Sequence, residues 1–254
     1  MNIIKAFFIS FSIYSQIPMP QFDWKEDDMK YTLCFFPLIG IVIGLVEIAW
    51  FILCQKFKVG NLCYSMIASA IPIGITGGFH FDGFMDTMDA KNSYQSQEKK
   101  LEILKDAHIG AFSVIKAILY FMVYIGAVSE VKNIKTIAVV AIGFGISRCL
   151  SGISVIKFKN AKTQGSLAYF NKSAEKRNVL ISLIAQLIFY GFLQCYISLI
   201  QGIVVIAMVI VTFVYYYVFS KKVFNGITGD IAGYFVTVVE LMILLSAVLM
   251  EHIV

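Results

Sequence analysis

Three carboxylates and an imidazole crowd into one short stretch. His80, Asp82, Asp86 and Asp89 all lie in the segment 76–90, TGGFHFDGFMDTMDA. If the chain is helical from Asp82 onward, aspartates at i, i+4 and i+7 sit at about 0°, 40° and −20° around the axis, on a face about 60° wide. Like charges at that spacing repel one another. A hard divalent cation relieves them, and carboxylate oxygens suit Mg2+. Asp82, Asp86 and Asp89 are therefore read as metal ligands. Gly77, Gly78 and Gly83 leave backbone open to a bulky anionic ligand. The competing reading is a solvated helix start whose first-turn acids favour the helix dipole.

Other charged residues sit where charge is expensive. On insertion scales an ionised side chain at membrane depth costs at least ~2.5–3.5 kcal/mol, so each one is a functional candidate. Arg148 lies late in an apolar run; its guanidinium suits bidentate phosphate binding, or else pairs with an interior carboxylate. Asp230 opens the last apolar run after Thr228 and Gly229, and with Gly233, Thr237 and Glu240 it forms a stripe about 80° wide. It is read as a helix N-cap, as an addition to the metal shell, or as both. Glu240 either pairs with Arg148 or lines the cavity. Asp106 and His108 read equally well as a surface pair and as members of the site. A loop at 157–178 carries Lys157, Lys159, Lys162, Lys172, Lys176 and Arg177. It serves as a topological signal toward anionic lipid or as a funnel for anionic substrates.

The elements that must hold these groups follow from composition. Of 254 residues, 59% are hydrophobic and only 15% charged, against roughly 45–50% and about 25% in soluble domains. That excludes an ordinary water-soluble globule. Lipid cannot satisfy open backbone groups, so apolar runs of about 20 residues must be helices. The expected architecture is all-α: a polytopic integral membrane bundle in one domain over residues 1–254, with about seven transmembrane helices. The spans fall at about 32–54, 62–79, 110–129, 134–156, two within 179–220 with a turn near 194–202, and 231–250. Residues 3–17 are too short for a span and read as an interfacial or re-entrant helix stopped by Pro18 and Pro20, with no clear cleavage site for a signal peptide. Gly40 and Gly44 form a GxxxG pair that permits close helix packing. The five cysteines form no CxxC pair and read as ordinary buried thiols.

Basic residues orient the bundle. The loops on the side of residues 80–109 hold fourteen Lys/Arg and the opposite loops four, so the acidic segment, the basic loop and Thr228-Gly229-Asp230 are expected on the cytoplasmic side.

The segment 77–89 closely resembles the acidic signature G-G-x-H-x-D-G-x-x-D-x-x-D of the cobalamin synthase family, the adenosylcobinamide-GDP ribazoletransferases. The likeness runs on in order along almost the whole chain. Pro18 and Pro20 resemble the early P-x-P, and residues 36–40 the F-P-L-x-G. Asp106 and Gly110 fit D-x-x-x-G, Ser147-Arg148 the S-R pair, and residues 226–230 the G-x-T-G-D.

The resemblance implies an enzyme that joins adenosylcobinamide-GDP to α-ribazole or α-ribazole 5′-phosphate, giving adenosylcobalamin or its 5′-phosphate plus GMP. It also implies a prokaryotic inner-membrane setting. On this reading Mg2+ on Asp82, Asp86 and Asp89 bridges the diphosphate, Arg148 holds phosphate oxygens, and His80 accepts the proton of the attacking ribose hydroxyl. His80 serves only if the helix begins after it, because on an ideal helix it points away from the aspartates. Gly77, Gly78, Asp106, Thr228, Gly229 and Asp230 are assigned to substrate binding. The partners are the two substrates and the lipid bilayer, with a homo-oligomer left open and no nucleic acid. The alternatives are another Mg2+-dependent membrane phosphotransferase or a prenyltransferase acting on a diphosphate, and a cation transporter with intramembrane acids.

Overall fold

A chain this apolar can cross lipid only as helices, and helices are what the computed structural model contains. Residues 3–106, 108–162 and 166–253 are described, without the side chains of residues 26, 166 and 168. They form α1 (Ile3–Tyr14), a 3₁₀ turn (Glu26–Tyr31), α2 (Thr32–Phe57), α3 (Asn61–Thr76), α4 (Phe79–Asn92), α5 (Gln97–Ile103), α6 (Ala111–Ser129), α7 (Ile134–Lys157), α8 (Ser166–Ser173), α9 (Lys176–Ile197), α10 (Leu199–Phe224) and α11 (Gly229–Ile253). Six helices, α2, α6, α7, α9, α10 and α11, are long and apolar enough to cross a membrane, and the bent pair α3–α4 raises the number to seven.

The expected span 62–79 is the one that differs. α3 has 16 residues, about 24 Å at 1.5 Å per residue, short of a hydrocarbon core of about 30 Å. It stops at Thr76 because Gly77 and Gly78 both take left-handed backbone, φ +65° and +79°, which costs an L side chain but not glycine. The chain turns 97° there, so α4 runs across the end of the bundle instead of continuing through it. The two glycines make this turn, and the space beside Gly77 is filled by the Gln16 side chain. The expectation that Gly77, Gly78 and Gly83 leave backbone open to a ligand is corrected at Gly77, and also at Gly83, which packs against the Asp230 backbone.

α7 and α11 form the centre. Apart from Arg148, α7 is apolar or small all round between Thr136 and Ile156 and is buried almost throughout, as such a helix must be. Its closest neighbour is α2. A Cβ at Gly40 would run into the backbone of Phe144 and Gly145, and one at Gly44 into that of Ala141, so the GxxxG pair does bring two backbones into contact. α6, α9 and α10 lie outside, exposing large apolar side chains such as Met122, Ile188, Phe192 and Ile210. α9 and α10 meet at Ser198, inside the expected turn.

Successive spans run antiparallel, so the described parts of the segments 15–31, 77–110, 158–175 and 225–228 gather at one end. Two of them are stitched together. Ile227 N–H donates to Lys159 O and Ala161 N–H to Ile227 O, both at 2.9 Å. This pairing needs Gly226, which sits at φ +148° with its α-carbon against Lys159 and Ala161. The basic loop is thereby fixed beside the start of α11. α1 is more than an interfacial helix: Phe11 and Tyr14 are buried, and Gln16 N–H donates to Ile75 O at 2.8 Å, tying the segment to the α3–α4 turn.

Candidate active site

Small residues set the site. A Cβ on Gly83 would lie 2.6 Å from Asp230 O, and one on Gly233 would lie 3.0 Å from His80 O. α4 and α11 therefore touch backbone to backbone, and Asp230 sits alongside Asp82 and Asp86. Asp82 is exposed; Asp86 and Asp230 are half-buried. Burial, followed by the charges of Asp82, Asp230 and Asp89, pushes the Asp86 carboxyl up to about 6. Thr228 Oγ1 donates to Asp230 Oδ2 at 3.2 Å and accepts Ile231 N–H at 3.3 Å. Thr228 thus caps α11 while steering the Asp230 carboxylate.

Asp89 goes elsewhere. Its Oδ2 accepts Gly110 N–H at 2.7 Å and its Oδ1 accepts Ser113 N–H at 2.9 Å. It occupies the free donors at the start of α6, where a carboxylate also meets the positive end of the helix. Among the described residues no three His, Cys, Asp or Glu side chains are gathered closely enough to hold a metal ion by themselves. The expected three-aspartate grip is thus reduced to Asp82 and Asp86, with Asp230 brought in from α11. That set still fits Mg2+, which keeps waters and is usually bound through one or two carboxylates plus substrate phosphates. Burial first, and then the neighbouring carboxylates, raise the Asp86 carboxyl; a cation there would relieve the second of these.

The positive side of the site is the docked loop. Half-buried Lys162 feels three influences: burial pulls its ammonium down, the Asp230 charge holds it up, and Lys105 pulls it down again. Lys159 Nζ donates to Asn225 Oδ1 at 3.0 Å. Asp106 is exposed, and its Oδ1 lies 2.6 Å from His108 Nδ1, which is exposed as well. That is the surface pair, although Lys105 beside it places this stretch close to Lys162.

Two residues expected to do catalytic work lie deeper. Arg148 is 1% exposed. Its Nη1 donates to Glu240 Oε1 at 2.5 Å and to Phe144 O at 2.8 Å, and Ser147 Oγ donates to the same Glu240 oxygen at 2.9 Å. The guanidinium is committed to an interior ion pair between α7 and α11, which corrects the expectation that it holds a phosphate. It also settles Glu240 as its partner. His80 is the second correction. α4 begins at Phe79, so His80 lies within the helix and about 200° around it from Asp82. The imidazole turns into the bundle, away from the aspartates, and is not placed to serve as base there. It is buried, and neither ring nitrogen has a hydrogen-bond partner among the described residues. Thr237 Oγ1 donates to its carbonyl at 3.2 Å.

Two features escape motif-based reading. Glu47 on α2 is 3% exposed with neither oxygen partnered among the described residues; a lone acid inside an apolar span was the available signal. The other is a cavity of about 150 Å3 behind His80, walled by Tyr14, Phe36 and Phe170. Its aromatics come from three separate elements, which periodicity assigns only to core.

The family model described as cobalamin-5-phosphate synthase matches residues 6–248. The chain is 42% identical over 254 residues to a protein named adenosylcobinamide-GDP ribazoletransferase from Lachnoclostridium phytofermentans, covering 100% of this chain and 97% of that one. It is 34% identical over 255 residues to one of the same name from Clostridium botulinum, covering 98% of each. A third, from a Geobacillus species, is 28% identical over 243 residues and 92% of each chain. No solved structure matches the chain.

Proposed function

The chain belongs to the cobalamin-5-phosphate synthase family, and we propose that it joins adenosylcobinamide-GDP to α-ribazole, or its 5′-phosphate, at the acid cluster where α4 meets α11. The reaction is a late step of cobalamin assembly. A ribose hydroxyl oxygen bonds to the phosphorus that carries the cobinamide, and the bond from that phosphorus to the bridging oxygen breaks. GMP leaves, and the hydroxyl proton is given up. Adenosylcobalamin or its 5′-phosphate is the other product.

Transfers of this kind demand alignment and charge neutralisation more than covalent help. Asp82 and Asp86 would hold Mg2+, which would supply charge neutralisation at the diphosphate. Asp230, steered by Thr228, orients the attacking hydroxyl and accepts its proton. Lys162 holds a diphosphate oxygen opposite the acids. Arg148 keeps α7 and α11 in register and touches no phosphate.

The observation that carries this reading is the backbone contact at Gly83. It brings Asp230 beside Asp86, whose carboxyl is pushed up to about 6 first by burial and then by the charges of Asp82, Asp230 and Asp89. Uncompensated, the arrangement is unfavourable, so its use is to receive a cation with an anionic substrate. The fourteen Lys/Arg on this end support placing it on the cytoplasmic side of a prokaryotic inner membrane. The test is GMP release by the protein in nanodiscs. It should require both substrates, stop on addition of EDTA and resume with excess Mg2+. Release that ignores ribazole, or no release with both substrates and Mg2+ present, would sink the reading.

A further inference from the structure

The cavity behind His80 has the shape and chemistry of a seat for a flat aromatic ring. Its volume is about 150 Å3, and a dry apolar cavity of that size accepts a benzene ring. The walls are aromatic. The Tyr14 and Phe36 rings lie 4.4 Å apart, Tyr14 and Phe170 6.0 Å, and the His80 ring lies parallel to Tyr14 within 11°. Among the described residues, polar side chains reach the lining only from Tyr14, His80 and Ser151. His80 is 6% exposed, and both its ring nitrogens lack a partner among the described residues. A buried imidazole with nothing to bond is an unmet demand, and here it faces a hole.

Gly229 forms part of the same wall, and Asp230 follows it in the chain. The hole therefore reaches the start of α11, one residue from Asp230. His80 shares α4 with the acids but faces the opposite way, so one short helix carries two sites on two faces.

Resting on the reading proposed above, we propose that this cavity holds the base of α-ribazole, with His80 donating a hydrogen bond to the unsubstituted ring nitrogen of its benzimidazole. A benzimidazole is flat and apolar apart from that one acceptor, and His80 offers one matching donor. Guanine is the other aromatic base among the substrates. It brings a lactam, an amino group and several ring nitrogens, most of which these walls would leave unpaired. The ribose attached to a base seated here points its hydroxyls toward Asp230.

Two measurements separate this inference from the reading beneath it. Turnover of both substrates by the wild-type protein tests the reading alone. Equilibrium dialysis of α-ribazole against the protein in nanodiscs, with no second substrate present, tests the cavity alone. Free dimethylbenzimidazole should displace α-ribazole and guanine should not. His80→Phe should weaken α-ribazole binding about tenfold, and His80→Asn, which keeps an N–H, should restore most of it. Ser151→Leu should weaken it too, by filling the space. In turnover, His80→Phe should raise KM for α-ribazole and leave KM for adenosylcobinamide-GDP and kcat within about twofold. Displacement by guanine instead of dimethylbenzimidazole overturns the inference. So does a His80→Phe protein that binds α-ribazole normally but turns over slowly. If His80→Phe fails to fold, the displacement result with wild-type protein decides.

Discussion

Gly83 of α4 lies directly against the backbone of Asp230 at the start of α11, with room for a hydrogen and no more: a Cβ there would lie 2.8 Å from Asp230 Cα. The distance between the two acidic elements is set by that missing methyl. Gly83→Ala should push α4 outward by a few tenths of an ångström or more, and Gly83→Val farther. Misplacement on that scale at a reacting centre costs up to about 10²-fold in rate. The expected result is a protein that inserts into membranes and elutes normally from a sizing column, with turnover falling in the order Gly, Ala, Val. Full activity in Gly83→Val would show that the two elements need not touch.

Asp82 and Asp86 should fail together and in the same way. Asp82→Asn and Asp86→Asn each remove a charge from the proposed cation site while preserving shape. Turnover should drop by at least about 10²-fold, and the Mg2+ concentration for half-maximal rate should rise. Near-normal turnover in Asp82→Asn would remove the metal role from α4.

On the proposed reading, proton and cation compete for Asp86. Its carboxyl is raised to about 6, above the ordinary value near 3.9. Between those values the folded protein holds a proton that the unfolded chain has released. In the absence of Mg2+, stability therefore falls as pH rises through 6. Metal binding requires the deprotonated form, so the half-saturating Mg2+ concentration should climb as pH drops from 7 to 5. Excess Mg2+ should recover the rate. Thermal melts with and without Mg2+ check both signs, and Asp86→Asn should flatten the difference. A Mg2+ requirement that is the same at pH 5 and pH 7 would exclude Asp86 as a ligand.

How far these groups were legible in the sequence depends on what fixes each one. Asp82 and Asp86 follow from helical spacing alone, which survives because α4 is regular. Asp89 shares that spacing, yet its oxygens are taken by the free N–H groups of α6, and nothing in residues 80–89 tells where another helix begins. His80 turned on a single residue of helix boundary: a start at Phe79 aims it inward, and boundaries are what pattern reading fixes least well. The break at Gly77-Gly78 looked like an open backbone because two glycines serve a ligand or a turn equally well until φ is known. The six long apolar helices, the close approach at Gly40 and Gly44, and the gathering of loops at one end were readable from hydropathy and charge, since lipid leaves so few alternatives.

Asp89 should now behave unlike its neighbours. Asp89→Ala removes the cap from α6, which costs typically about 1 kcal/mol, and releases Gly110. Asp89→Asn keeps one acceptor and should be milder. Turnover should fall less in Asp89→Asn than in Asp82→Asn, and the Mg2+ requirement should stay close to wild type. A Mg2+ requirement shifted as far as in Asp82→Asn would return Asp89 to the metal shell.

The Arg148–Glu240 pair, finally, separates stability from chemistry. Both groups are buried, at 1% and 8% exposure, and removing one partner strands the other's charge inside the bundle. Breaking such a pair costs about 3–5 kcal/mol, whereas replacing both members with apolar residues of similar size is often neutral. Glu240→Gln should therefore lower the melting temperature steeply, and so should Arg148→Met. The double variant Arg148→Met, Glu240→Leu should recover much of the loss. Because Arg148 does not reach the acid cluster in this arrangement, the refolded double variant should retain turnover within about tenfold of wild type, an allowance for the small displacements that repacking brings. A double variant as stable as wild type but inactive would instead mean that Arg148 leaves Glu240 for the substrate during the reaction.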